Sequence, residues 1–140
     1  LAVAESCTGG TIASKFTAMA GASAYFMAGA VTYSNEAKHD LLGLSWESLN
    51  QYGAVSEQVA REMAEGIRRV AGADYAIATT GIAGPTGGSA EKPVGTVWMA
   101  VATPKGTRAV MRNSGTDRGQ IISRASAYAM ELLLNELKRQ

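Results

Sequence analysis

The first ten residues, Leu1-Ala2-Val3-Ala4-Glu5-Ser6-Cys7-Thr8-Gly9-Gly10, constrain this chain more than any other stretch. Leu1 to Ala4 are small and apolar with no polar alternation, the pattern of a strand covered on both faces. Gly9 and Gly10 admit backbone geometries that a β-carbon disfavours. From Thr11 the period changes. Ile12, Phe16 and Met19 recur at spacings of four and three, which predicts a helix. A strand that turns sharply into a helix leaves free N–H groups at the turn. Ser6 or Cys7 at such a junction suits a nucleophile and the oxyanion it generates. Ser6 and Thr8 suit helix capping equally well, so the turn alone leaves both readings open.

The remaining pattern extends this beginning into an α/β domain. Tyr25 to Tyr33 reads as a second strand and Asp74 to Thr80 as a third. Pro93 to Thr103 reads as a long strand, and Arg108 to Arg112 pairs back after the Pro104-Lys105-Gly106 turn. Ser34 and Asn35 cap a short helix that Gly43 ends, and Ser45 to Tyr52 forms another, closed by Gly53. Ser56 caps an amphipathic helix with Val59, Met63, Ile67 and Val70 on one face and Gly72 at its end. A last helix runs from about Asp117 to Lys138, with Ile121, Ile122, Ala125, Ala129, Leu132, Leu133 and Leu137 as its buried stripe. Helices alternate with strands early and a hairpin comes late. That order predicts one domain of 140 residues, a three-layer α/β/α sandwich around a mixed, mostly parallel sheet.

Charge and cysteine content narrow the function. A net charge of +1, with no basic run interleaved with aromatics, argues against a nucleic-acid partner. One cysteine excludes an internal disulfide and a cysteine-cluster metal site, and fits a cytoplasmic protein. No apolar run reaches the length of a membrane span. The chain opens on Leu1 directly in a strand, so residues upstream are expected. Alanine- and methionine-rich helix faces suit the expected homo-oligomer as well as a monomer core.

Three polar clusters follow the carboxyl ends of the first three strands: Glu5 to Gly10, Tyr33 to Lys38, and Thr79 to Gly88. Ligands of open α/β sheets bind at that edge, and parallel neighbours would bring the clusters together. A semi-buried lysine loses solvation and becomes a base near neutral pH, so Ser6 with Lys38 needs no histidine. The Tyr33 hydroxyl is placed to relay a proton or orient the lysine. Cys7 with His39 is a rival pair, although His39 points about 100° from Lys38 on a helix. The loop from Gly81 to Gly88 offers backbone N–H groups suited to phosphate, but it is neither a P-loop nor a dinucleotide fingerprint. It is also read as a surface turn. Arg118, opening the last helix, is read either as a bidentate anion holder or as an exposed helix residue.

Five segments, taken together, resemble the CinA C-terminal domain family. They are Ala4-Glu5-Ser6-Cys7-Thr8-Gly9-Gly10, Val31-Thr32-Tyr33-Ser34-Asn35-Glu36-Ala37-Lys38, Gly53-Ala54-Val55-Ser56, Gly81-Ile82-Ala83-Gly84-Pro85 and Glu91-Lys92-Pro93-Val94-Gly95-Thr96-Val97. They occur in the family's order and span nearly the whole chain. The resemblance implies an α/β/α fold, a helix ahead of Leu1, and hydrolysis of nicotinamide mononucleotide to nicotinate mononucleotide and ammonia, without cofactor or metal. It implies Ser6 as nucleophile, Lys38 as its base and Tyr33 nearby. On that expectation the turn residues Cys7, Thr8, Gly9 and Gly10 hold the oxyanion. Thr80, Gly81, Ala83, Gly84 and Arg118 are then candidates for the ribose-phosphate end. The alternative is a non-catalytic nucleotide-binding module of a competence/damage-inducible protein.

Overall fold

The computed structural model describes residues 1–139. Strand β1 (Ala2–Glu5) is fully buried and lies between β2 (Ala28–Val31) and β3 (Ala76–Gly81), parallel to both. Strand β4 (Thr96–Thr103) runs antiparallel to β3, and β5 (Gly106–Asn113) antiparallel to β4, giving the order β2-β1-β3-β4-β5. Four of the five strands therefore point one way, while the four strand pairings divide equally into parallel and antiparallel.

Helices cover both faces. On one side α1 (Thr11–Thr17) and α5 (Arg118–Lys138) seat Ile12, Phe16, Ile121, Ala125 and Ala129 against Val3, Ile77, Met99 and Val101. On the other, α4 (Glu57–Ala71) seats Val59, Ala60, Met63, Ala64 and Ile67 against Ala2, Ala4, Ala76, Ala78 and Ala100. The alanines on that sheet face let α4 lie close. Helices α2 (Asn35–Leu42) and α3 (Trp46–Tyr52) pack outside α4 through Leu42, Leu44 and Leu49. The result is the three-layer sandwich expected. Ser34, Ser45, Ser56 and Asp117 each accept an N–H of the helix they open.

Glycine is required where α2 meets α4. A β-carbon on Gly66 would stand 2.3 Å from the Leu42 carbonyl oxygen. The close approach anchors α2, the helix that carries Lys38.

Several expectations shift, each for a local reason. Strand β2 is shorter than Tyr25–Tyr33 because residues 22–24 form a 3₁₀ turn that holds the Phe26 N–H on Ala22 O at 2.8 Å. Its far end stops where Thr32 and Tyr33 leave the ladder. Strand β4 starts at Thr96, not Pro93, because Gly95 turns at φ +98° and Thr96 N–H closes on Pro93 O. Helix α1 ends at Thr17, which leaves Met19 outside it and exposed. The buried arc of α4 runs through Ala60, Ala64, Ile67 and Ala71, so Val70 points about 100° away and is 61% exposed. In α5 the stripe continues from Leu133 to Glu136 rather than Leu137. Glu136 is buried and paired with Arg108, and Leu137 faces outward.

Candidate active site

The register of β1 and β2 brings the first two polar clusters together. Glu5 pairs with Val31 at the carboxyl end of the ladder, and Thr32 N–H donates to Glu5 O at 2.8 Å as the final rung. Ser6 follows Glu5 on one strand and Tyr33 follows Thr32 on the other. Ser6 is held from the opposite side by its N–H to Thr79 O at 3.1 Å, at the end of β3.

Lys38 reaches this edge from α2 and is almost entirely buried. Its Nζ lies 3.2 Å from Ser6 Oγ, 2.9 Å from Thr32 O and 3.1 Å from Tyr33 O. Carbonyl oxygens only accept. A neutral amine has two N–H bonds and one lone pair, so the two carbonyls take both N–H groups and leave the lone pair for the Ser6 hydroxyl proton. Burial pushes the Lys38 pKa down to about 8. Burial therefore raises the share of neutral base far above that of a solvated lysine, and the neutral form becomes the major one above about pH 8.

The turn after Ser6 is braced by Glu5, a buried carboxylate. Glu5 Oε1 accepts the Ile12 N–H at 3.0 Å and the Thr8 hydroxyl at 2.6 Å, and Oε2 accepts the Ala13 N–H at 2.9 Å. With Thr8 donating to Glu5, the Thr79 hydroxyl donates to Thr8 at 2.8 Å. Glu5 thus caps α1 from seven residues upstream, a task sequence reading had left to Ser6 and Thr8. Gly10, at φ +103°, carries the chain into the helix. Among the described residues no acceptor takes the N–H of Thr8 or Gly10.

The remaining candidates separate. Tyr33 is 59% exposed and its hydroxyl accepts from Arg118 Nη2 at 3.2 Å, so the phenol does not meet Lys38. Tyr33 instead serves the lysine through its backbone carbonyl. Arg118 also donates to Gly84 O, which ties the start of α5 to the glycine loop. Arg118 is exposed at the start of α5, and these two contacts hold its guanidinium between Gly84 and Tyr33. The loop is anchored by Ile82 N–H to Thr96 O at 2.9 Å and Gly95 N–H to Ile82 O at 2.8 Å, and Ala83 is buried. Thr80 directs its hydroxyl to Ala54 O at 2.7 Å, while Gly81 ends β3 beside the turn.

The Cys7–His39 pairing is not assembled. His39 Nδ1 bonds with Leu44 O at 2.7 Å and its ring stacks on Trp46 at 4.8 Å. Burial pushes the Cys7 thiol up to about 12, which keeps it protonated. Thr32 O, Tyr33 O and the Glu5 carboxylate escaped notice as functional groups. Only Glu5 had a signal in the sequence, as a carboxylate directly after an apolar strand and ahead of a helix.

Fold and site define an α/β/α protein with a buried serine–lysine pair at the carboxyl edge of its sheet. The chain belongs to the CinA C-terminal domain family, whose model matches residues 1–137. It is 55% identical over 135 residues to the nicotinamide-nucleotide amidohydrolase PncC of Enterobacter agglomerans, covering 95% of this chain and 82% of that protein. It is 53% identical to a CinA-like protein of Geotalea daltonii, covering 98% of this chain and only 33% of the longer relative. The crystal structure of competence damage-inducible protein A from Klebsiella pneumoniae superposes with a TM-score of 0.94 at 40% identity, covering 98% of this chain and 85% of that one. No helix among the described residues is long and apolar enough to cross a membrane.

Proposed function

We propose that this chain hydrolyses the carboxamide of nicotinamide mononucleotide, giving nicotinate mononucleotide and ammonia, with Ser6 as nucleophile and Lys38 as its base. The observation that carries the mechanism is the Lys38 amine, 3.2 Å from Ser6 Oγ with both N–H groups committed to carbonyls. The high identity to an amidohydrolase over most of both chains supports the reaction.

Ser6 Oγ attacks the amide carbon as its proton passes to the Lys38 lone pair. The oxyanion rests on N–H groups of the turn from Cys7 to Gly10, each good donor contributing on the order of 3 kcal/mol in comparable sites. The C–N bond breaks as Lys38 returns the proton to nitrogen, releasing ammonia and leaving an ester on Ser6. Water then attacks that ester while Lys38 takes its proton. Collapse gives the carboxylate product and restores the Ser6 hydroxyl. Arg118 and the loop residues Gly81, Ala83 and Gly84 receive the ribose-phosphate end, where the guanidinium supplies a matching charge.

The reading includes a cytoplasmic setting, in keeping with one unpaired cysteine. It also includes a homo-oligomer, for which Met27 and Val31, exposed on and beside the edge strand β2, supply apolar surface. Ammonia release from nicotinamide mononucleotide by the intact chain, compared with Ser6→Ala, tests the central claim. Release that disappears in the variant is expected. Release by both moves the nucleophile elsewhere. Nucleotide binding without release by either overturns the enzyme in favour of a binding module.

A further inference from the structure

The end of the sheet remote from Ser6 carries a cavity of about 400 Å³ at the β4–β5 turn. Ala76, which opens β3, pairs with Ala102 near the end of β4, so this turn lies at the opposite end of the sheet from the serine. Its lining includes Arg61, Lys105, Thr107, Arg108, Glu136 and Arg139. The charged groups lining this cavity sum to +3, and two carboxylates border it, Glu57 bonded to Arg61 and Glu65 accepting the Thr107 hydroxyl at 2.8 Å.

Two of the three lining guanidinium groups are held at hydrogen-bond distance. Arg61 directs Nε to Glu57 at 2.9 Å and Nη1 to Thr107 O at 2.5 Å. Arg108 directs Nε to the buried Glu136 at 2.5 Å, and Arg139 Nε lies 3.8 Å from the same carboxylate oxygen. Arg61 and Arg108 are thus gripped through Nε, with further N–H groups to offer. Among the described residues Lys105 forms no ion pair. A helix C-terminus favours cations, which accounts for Arg139 alone. Arg61, on α4, and Arg108, on β5, pair with Glu57 and Glu136, whereas Lys105, in the turn between β4 and β5, faces the cavity with no carboxylate partner among the described residues.

We propose that this cavity is a second ligand site, for the phosphate group or groups of a small metabolite. Cations arriving from four separate elements suit a tetrahedral or condensed phosphate, which accepts from several directions at once, better than a planar carboxylate. The site is independent of the amide chemistry at Ser6.

Calorimetric titration at constant ionic strength, with inorganic phosphate and inorganic pyrophosphate as probes, tests it. Pyrophosphate is expected to bind saturably, with affinity weakened about tenfold by Lys105→Glu and less strongly by Lys105→Gln. Lys105 is exposed in a turn, so a melting temperature matching wild type will show that both variants fold. Arg118→Ala is expected to leave this binding in place. Loss of binding in Arg118→Ala would put the anion in the Ser6 site and overturn the proposal. So would the absence of saturable binding, or binding indifferent to both Lys105 variants. A labelled DNA duplex that binds through Lys105 while neither phosphate probe does would overturn it in favour of a nucleic-acid surface.

Discussion

Lys38 Nζ lies 2.9 Å from the carbonyl oxygen of Thr32, a residue that has just left the edge of the sheet. The contact takes one N–H of the amine and leaves its lone pair to Ser6. With the lysine pKa pushed down to about 8 by burial, turnover is expected to rise about tenfold per pH unit below that value and to level above it. The same shift has a stability consequence. The unfolded lysine titrates near 10.5, so between about pH 8 and 10.5 the unfolded chain binds more protons than the folded one. Stability therefore rises with pH across that window, by about 3 kcal/mol at most. Lys38→Met is expected to abolish turnover and to flatten this rise, read from urea denaturation at pH 7 and pH 10. Wild-type turnover in that variant would reject Lys38 as the base.

Glu5→Ala removes three hydrogen bonds and leaves the Ile12 and Ala13 N–H groups without their acceptor. A loss of about 2–4 kcal/mol in unfolding free energy is expected, because the missing partner was charged and buried. The turn loosens with it, so kcat should fall even where the variant remains folded. Denaturation curves paired with kcat on the folded fraction separate the two effects.

Cys7 is expected to be a bystander. Its thiol is buried and protonated, and Cys7→Ala keeps the backbone N–H of the turn. Activity within about threefold of wild type is expected. Iodoacetamide at pH 8 should alkylate the folded protein far more slowly than the urea-unfolded chain, followed by mass spectrometry. Rapid labelling coupled to inactivation would return Cys7 to the mechanism.

Arg118→Ala tests the phosphate end of the site. A rise in KM for nicotinamide mononucleotide of about ten- to a hundredfold is expected, with kcat little changed. Nicotinamide riboside, which lacks the phosphate, should be turned over alike by both proteins. A uniform loss with both substrates would instead assign Arg118 to holding Gly84 and Tyr33 in place.

Local chemistry was the legible part of this fold. Ser34 and Ser56 cap the helices expected of them, and Ser45 and Asp117, read as helix starts, cap theirs, because a cap depends on three or four neighbouring residues. The polar clusters after the first three strands were visible too, and Ser6 with Lys38 stood out within them. What lay beyond reach depends on tertiary placement. Val70 and Leu137 match a helical period, yet the sheet faces neighbouring positions. Glu136 occupies the place a leucine was expected to take because Arg108, on β5, neutralises it. The Thr32 and Tyr33 carbonyls were unreadable because every residue has one. Tyr33 was noticed for its phenol, and the structure uses its backbone.

The pairing of Glu5 with Val31 has a last consequence. The nucleophile and the carbonyls that aim its base leave two hydrogen-bonded neighbours in one ladder, so their spacing is a property of the sheet and not of a movable loop. No lid has to close to bring Ser6 to Lys38. Thermal inactivation should then coincide with cooperative melting of the whole domain, and the amides of Ala4, Glu5 and Ser6 should be among the slowest to exchange with deuterium.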